Sequence, residues 1–181
     1  MELKRVVVTG LGAVTPVGNN PEETWANLLA GKSGAAPITL FNTEMFKTKF
    51  ACEVKDLNVT DYIDRKEMRK MDRYCQLAMI SAMQGIKDAN IDVETEDLDR
   101  VGVIFGVGIG GIKTFQDEVT YYGQHEDQGP KFNPFFIPKM IADIAAGQIS
   151  IQYGFHGPNY TTTSACASSS NALADAFNLI R

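Results

Sequence analysis

Hydrophobic and polar positions along the chain switch between two periods. Apolar runs at 5–10 (RVVVTG) and 100–111 (RVGVIFGVGIGG) end in glycine and predict buried strands. KFACEV (49–54) alternates its faces and predicts a third strand, and Tyr160 to Thr163 a fourth. Between them lie segments with helical spacing. PEETWANLLAGKSG (21–34) places Pro21 in a first turn, Glu22 and Glu23 at the positive end of the dipole, and Gly31 at the stop. Asp64 and Glu67 fit a capping box opening a long helix, with Met71, Cys75, Ala78, Ala82, Ile86 and Ala89 as its apolar stripe. Helices are also predicted over 114–122 and 139–149. Residues 125–138 read as a loop and 154–159 as a turn. From 167 onward Leu173, Ala176, Phe177 and Ile180 repeat at i, i+3, i+4, i+7. Buried strands alternating with helices predict an α/β fold with a largely parallel sheet. There is no internal repeat and no low-complexity tract.

Composition adds limits. The chain has 181 residues, 44% of them hydrophobic and 22% charged, which suits one domain or one domain and part of another. A net charge of −5 does not favour nucleic acid as a partner of the whole chain. No apolar run is long enough for a transmembrane helix, and the start does not read as a signal peptide, so a cytoplasmic protein is expected. Cys52, Cys75 and Cys166 are odd in number and far apart, which argues against a disulfide framework and against a structural zinc site. Cys75 and Cys52 read as small core residues, and His125 and His156 as loop or surface histidines.

Two glycine turns are weaker than they first look. GLGAVTPVG (10–18) follows a predicted strand, but Thr15 stands where a dinucleotide fingerprint needs its third glycine, and no helix starts at once. AGKSG (30–34) has Ala26 where a phosphate loop needs glycine, and it follows a helix rather than a strand.

Cys166 stands apart. It lies where a predicted strand hands over to a predicted helix, among Ala165, Ala167, Ser168, Ser169 and Ser170. A helix N-terminus favours a thiolate, and its free N–H groups suit an oxyanion formed when sulfur attacks a carbonyl. Small neighbours let a substrate approach. The same residues also fit a buried cysteine beside a tightly packed helix.

RVVVTGLGAVTPVGN, RKEMRKMD, GVGIGG, PFFIP and GPNYTTTSACASSSNAL occur in order along the chain from about Lys4 to its end. Together they resemble the β-ketoacyl-acyl-carrier-protein synthases of type II fatty-acid biosynthesis. The resemblance implies the N-terminal half of a thiolase-like fold, a mixed, mainly parallel sheet with helices on both faces. On that reading residues 1–181 form an incomplete ketoacyl-synthase domain, truncated after the nucleophile helix, with the C-terminal half absent. Covering for the helix at 167–180 is then expected from elsewhere.

The resemblance also implies an activity and its residues. Cys166 becomes the nucleophile that takes an acyl group from a carrier protein before decarboxylative condensation with malonyl-carrier protein. Two histidines, a lysine and a gating loop belong to the second half, and neither His125 nor His156 matches them. Ile109 matches a residue at the end of the acyl pocket, and Phe136 one that reaches across a homodimer. Plain core packing is the alternative for both. No metal or resident cofactor is implied, since phosphopantetheine arrives on the carrier protein.

Charge patterning supports an acidic partner. Arg65, Lys66, Arg69, Lys70 and Arg73 cluster at a predicted helix start, where cations oppose the dipole. A basic patch on an acidic chain suits acyl carrier protein, and the resemblance implies docking near Lys66 and Arg69, with Lys70 and Lys131 as further candidates. A solvated face balanced by Asp64, Glu67 and Asp72 is the alternative. Two rival functions are a non-catalytic chain-length-factor-like or dimerisation subunit, against which Cys166 argues, and a nicotinamide-binding oxidoreductase, which leaves Cys166 without a role.

Overall fold

The computed structural model describes residues 3 to 181. In chain order the elements are α1 (Pro21–Leu29), β1 (Ala36–Pro37), β2 (Phe50–Ala51), α2 (Arg65–Met68), α3 (Arg73–Asp88), β3 (Val103–Gly106), α4 (Ile112–Gln124), α5 (Phe136–Met140), α6 (Ile144–Tyr153), β4 (Asn159–Thr162) and α7 (Ser168–Ile180). Short 3-10 turns cover Val59–Asp61, Leu98–Arg100, Glu126–Gln128 and Ala165–Ala167. The chain divides into two compact bodies.

One body comprises the residues up to Val8, Ile63–Met79 and Ile91–Arg181. Its centre is the parallel pair β3–β4, in register from Val103 opposite Asn159 to Gly106 opposite Thr162. Parallel strands need a long crossover, and α4, α5 and α6 supply it. Ala145, Ala146 and Ile149 of α6 are buried, as are Val107, Phe155 and Ala172. Gly154 ends α6 in the left-handed conformation at φ 69°, which a residue without Cβ adopts at little cost. Met71, Cys75, Ala78 and Met79 are buried in the same body.

The second body comprises Thr9–Tyr62 and Ile80–Asn90. Asn20 caps α1, its side chain accepting the Glu23 N–H at 2.8 Å. β1 and β2 pair antiparallel. The Gly10–Gly12 turn lies against the C-terminal part of α3. Leu11 N–H donates to Asp88 at 2.8 Å, Ala13 N–H to Gln84 at 3.0 Å, and a Cβ on Gly12 would sit 2.8 Å from Gly85 N. Close helix packing, rather than a bound phosphate, explains this glycine turn.

The α/β class and the parallel pairing match the expectation, while several elements differ. Among the described residues the ladders are two pairs, not one continuous sheet. Residues 5–10 form no strand, and Val8 is 77% exposed. Apolar sequence makes a strand only where a neighbour completes the backbone ladder, and no described segment does so here. The predicted long helix from Asp64 is two helices. Asp64 caps only α2, accepting the Lys66 N–H at 2.7 Å, and Glu67 turns to Lys70 instead of back to the cap. Cys52 is exposed rather than in the core, as is Phe50 inside the two-residue β2.

On α7 the packed face is not the bulky stripe. Ser168 and Ala172 are buried, whereas Leu173 is 71% exposed and Phe177, Leu179 and Ile180 are exposed too. Gly106 sets this choice. A Cβ on Gly106 would lie 2.6 Å from the Ser168 carbonyl carbon, so backbone meets backbone and only small side chains fit between α7 and β3.

Candidate active site

Cys166 is at the centre of the 3-10 turn that joins β4 to α7, one residue before Ala167, the residue preceding the first turn of α7. It is therefore not inside the α-helix but at its entrance, and it is exposed. Ala167 offers no side-chain cap, so the first N–H groups of α7 have no capping side chain.

The turn is held by its neighbours. Ser168 is buried, and its hydroxyl oxygen accepts the Ser164 N–H at 2.9 Å while donating to the Ala165 carbonyl at 2.7 Å. The same oxygen is 3.3 Å from the Val107 carbonyl oxygen at the end of β3. Ser164 also accepts from Asn171 Nδ2 at 2.5 Å, and Ala167 N–H donates to the Ser164 carbonyl at 3.0 Å. Thr162 Oγ1 donates to the Ser168 carbonyl at 2.8 Å, and Val107 N–H to the Thr162 carbonyl at 3.1 Å. Within this net Ala165 has φ 47°. A left-handed conformation costs a residue other than glycine about 1–3 kcal/mol, which surrounding contacts must offset. The result is a small-residue turn that presents a thiol to solvent. Spacing alone gave no reason to separate Ser168 from Ser169 and Ser170.

The loop after β3 runs beside this turn through Val107. Two residues on, Ile109 is 71% exposed. Gly110 follows at φ 99° with Met140 and Ala142 against it, and Gly111 N–H donates to the Met140 carbonyl at 2.8 Å. The loop is thus fastened to the end of α5, the helix that carries Phe136. Phe136 is half-buried, stacked on Phe132 with ring centres 5.6 Å apart and facing Phe115 at 6.3 Å. The chain therefore brings the Ile109 loop together with the Cys166 turn on one side and with α5 on the other.

Lys66 and Arg69 are exposed, and neither is in an ion pair among the described residues. Lys70 is paired with Glu67 at 2.7 Å, which reduces its claim as a docking residue. Lys131 is exposed, next to Phe132. Asp72 does not balance this face. It is buried, with one oxygen accepting the Thr114 N–H at 2.9 Å and its hydroxyl at 2.6 Å, and the other accepting the Tyr74 N–H at 3.1 Å. Asp72 thereby ties the start of α4 to the start of α3 directly after the basic residues.

The remaining thiols and histidines lie elsewhere. Cys75 is fully buried, and burial, with Asp72 adding to it, pushes its thiol up to about 12. Tyr74 is raised by burial first and then by Cys75 and Asp72, and its hydroxyl donates to the Ile141 carbonyl. His125 stacks on Tyr121 and His156 meets Asp99 at 3.1 Å, so neither is part of the Cys166 turn. Among the described residues no group of three potential ligands could hold a metal ion, and no helix is long and apolar enough to cross a membrane.

The fold is that of the ketosynthases of the thiolase-like class. The chain superposes on the ishigamide ketosynthase/chain length factor with a TM-score of 0.83 and 27% identity, covering 98% of this chain and 45% of that one. It superposes on a β-ketoacyl synthase from Burkholderia phymatum with a TM-score of 0.81 and 24% identity, covering 98% and 44%. In a type II polyketide synthase complex of an acyl-carrier protein with its ketosynthase, the TM-score is 0.82 at 24% identity, covering 98% and 46%. The profile of the β-ketoacyl synthase N-terminal domain matches residues 3–181, and the chain belongs to that family. Among curated relatives, 3-oxoacyl-[acyl-carrier-protein] synthase 2 of Synechocystis is 44% identical over 182 residues, spanning all of this chain and 43% of that protein. The enzyme of the same name from Staphylococcus aureus is 44% identical over 179 residues, spanning 98% and 42%. The chain thus spans less than half the length of the relatives it matches.

Proposed function

We propose that this chain is the nucleophile-bearing part of a 3-oxoacyl-acyl-carrier-protein synthase acting in fatty-acid biosynthesis. The observation that carries the reading is the exposed Cys166 thiol on a pinned turn between β4 and α7, in a chain of the β-ketoacyl synthase family. In the first step Sγ attacks the acyl thioester carbonyl of a charged carrier protein. A carbon–sulfur bond forms to Cys166, the donor's carbon–sulfur bond breaks, and the phosphopantetheine thiol leaves with a proton. Backbone N–H groups, that of Cys166 among them, are the donors assigned to the transient oxyanion. In the second step malonyl-carrier protein loses carbon dioxide. Its carbanion attacks the acyl group, forming a carbon–carbon bond and releasing Cys166. Covalent catalysis divides one hard condensation into two easier transfers.

The other assignments follow the same reading. Ile109 bounds the acyl chain, Phe136 belongs to a homodimer contact, and Lys66 and Arg69, with Lys70 and Lys131 beside them, receive the acidic carrier protein. Phosphopantetheine comes with the carrier, so no resident cofactor is assigned, and the reaction belongs in the cytoplasm. The groups that drive decarboxylation lie in the part of the family that this chain does not span.

The test supplies the chain with hexanoyl-carrier protein and radiolabelled malonyl-carrier protein. The expected result is acylated Cys166 without a 3-oxoacyl product. Product and carbon dioxide from the chain alone would overturn the division of labour. No acylation would overturn the enzymatic reading and favour a non-catalytic, chain-length-factor-like subunit.

A further inference from the structure

We infer that Ser168 is the positioning residue for the Cys166 nucleophile, an inference that rests on the reading of Cys166 as the acylated group. Ser168 opens α7, yet its hydroxyl does not cap that helix. It reaches back to residues 164 and 165, and its two short hydrogen bonds straddle Ala165. The Ser164 N–H lies in the chain just before the strained residue and the Ala165 carbonyl just after its Cα, with φ 47° between them. A hydroxyl can accept one bond and donate another at once, so a single side chain clamps both ends of the left-handed residue. Its 3.3 Å approach to the Val107 carbonyl oxygen references that clamp to β3.

Cys166 is the next residue after Ala165, exposed and flanked in the chain by the small residues Ala165 and Ala167. Its direction is therefore set by the backbone of the turn. An alanine at 168 would fill nearly the same space and make neither bond. Ala165 would then relax toward ordinary φ values, which any residue other than glycine favours, and the backbone that carries the thiol would move with it. Only a hydroxyl at this buried position, 3% exposed, meets the Ser164 donor and the Ala165 acceptor together.

The experiment measures the second-order rate of iodoacetamide alkylation at Cys166, site by site by mass spectrometry, in the unchanged chain, Ser168→Ala and Ser168→Thr. Cys52, exposed and in the other body, is the internal reference. Acyl transfer from hexanoyl-N-acetylcysteamine to Cys166 is followed in parallel. Ser168→Ala should slow both reactions at Cys166 at least tenfold while Cys52 labelling holds. Ser168→Thr, which keeps the hydroxyl but adds a methyl at a close contact, should retain at least threefold more of both rates than Ser168→Ala. Equal rates in Ser168→Ala would overturn the inference, and so would a loss that Ser168→Thr shares in full. If Ser168→Ala does not fold, amide exchange at Ser164 in the unchanged chain decides. At least tenfold protection supports the clamp, and exchange at the unprotected rate overturns it. Should the thioester fail to acylate the unchanged chain, the nucleophile reading fails, and the alkylation rates still judge Ser168 by themselves.

Discussion

Gly106 of β3 lies directly beneath Ser169 of α7, so close that a Cβ on the glycine would fall 2.5 Å from the Ser169 Cα. Strand and helix meet backbone to backbone at the point where the chain turns through Cys166. Gly106→Ala should therefore cost about 2 kcal/mol, since overpacking a close contact forces the backbone to shift. For a chain of this size that is a fall of roughly 4–8 °C in the melting temperature. Gly108→Ala, where nothing lies within 4 Å of the added carbon, should change stability by less than about 0.5 kcal/mol. Equal effects in thermal melts of the two variants would mean that the contact is not tight.

Asp72→Ala should destabilise the first body by about 3 kcal/mol. The carboxylate accepts from Thr114 twice and from the Tyr74 N–H, and its loss leaves buried donors unpaired. Asp72→Asn keeps one acceptor oxygen and should lose less, about 1 kcal/mol. Urea unfolding of the three proteins orders them. An alanine variant as stable as the original would show that water satisfies these groups equally well.

The sequence announced some of this architecture and hid the rest for identifiable reasons. The β3 strand, the glycine turn after it and the placement of Cys166 between strand and helix were all legible, because apolar runs and small-residue clusters report local geometry. The break between α2 and α3 was not, since Asp72, the residue before α3, is held in place by Thr114, a partner 42 positions away, while its other oxygen accepts the Tyr74 N–H. Apolar exposure on α7 matches the expectation that its covering comes from elsewhere, but the face that packs on β3 was hidden for a similar reason. Periodicity points to Leu173, Phe177 and Ile180, but the approach of Gly106 selects Ser168 and Ala172. The run at 5–10 has strand composition without a described ladder partner. Ser168 stayed hidden among three consecutive serines, since its role depends on the backbone it meets rather than on its position in a pattern.

Stability should fall in alkali earlier than exposed groups alone would cause. Cys75 is raised to about 12 by burial, and Tyr74 is raised too, so the unfolded chain loses these protons first. Their contribution is fully present below about pH 9, the ordinary range of a thiol, and is lost as pH climbs toward 12. Denaturant midpoints at pH 7, 9 and 10.5 should decline between the last two. In Cys75→Ala the decline should be shallower, although its midpoint at pH 7 is lower. An unchanged slope would assign the alkaline loss to other groups.

Lys66→Glu with Arg69→Glu should weaken acyl-carrier-protein binding at least tenfold at low salt and flatten its salt dependence, because exposed charges act through a field that salt screens. Lys70→Glu alone should have a smaller effect, as Glu67 already occupies that cation. Binding by surface plasmon resonance across an ionic-strength series is the readout. Affinity that survives the double reversal at low salt would move the docking site elsewhere.

The most direct measurement is peptide mapping of the acylated thiol. The chain is incubated with hexanoyl-carrier protein, digested at acidic pH to preserve thioesters, and read by mass spectrometry. Cys166 and Cys52 are both exposed and Cys75 is buried, so exposure alone predicts two labelled sites. The account predicts one, a hexanoyl group on Cys166, with Cys52 and Cys75 free and no transfer in Cys166→Ala. Acyl transfer to Cys52, or transfer that persists in Cys166→Ala, would contradict it.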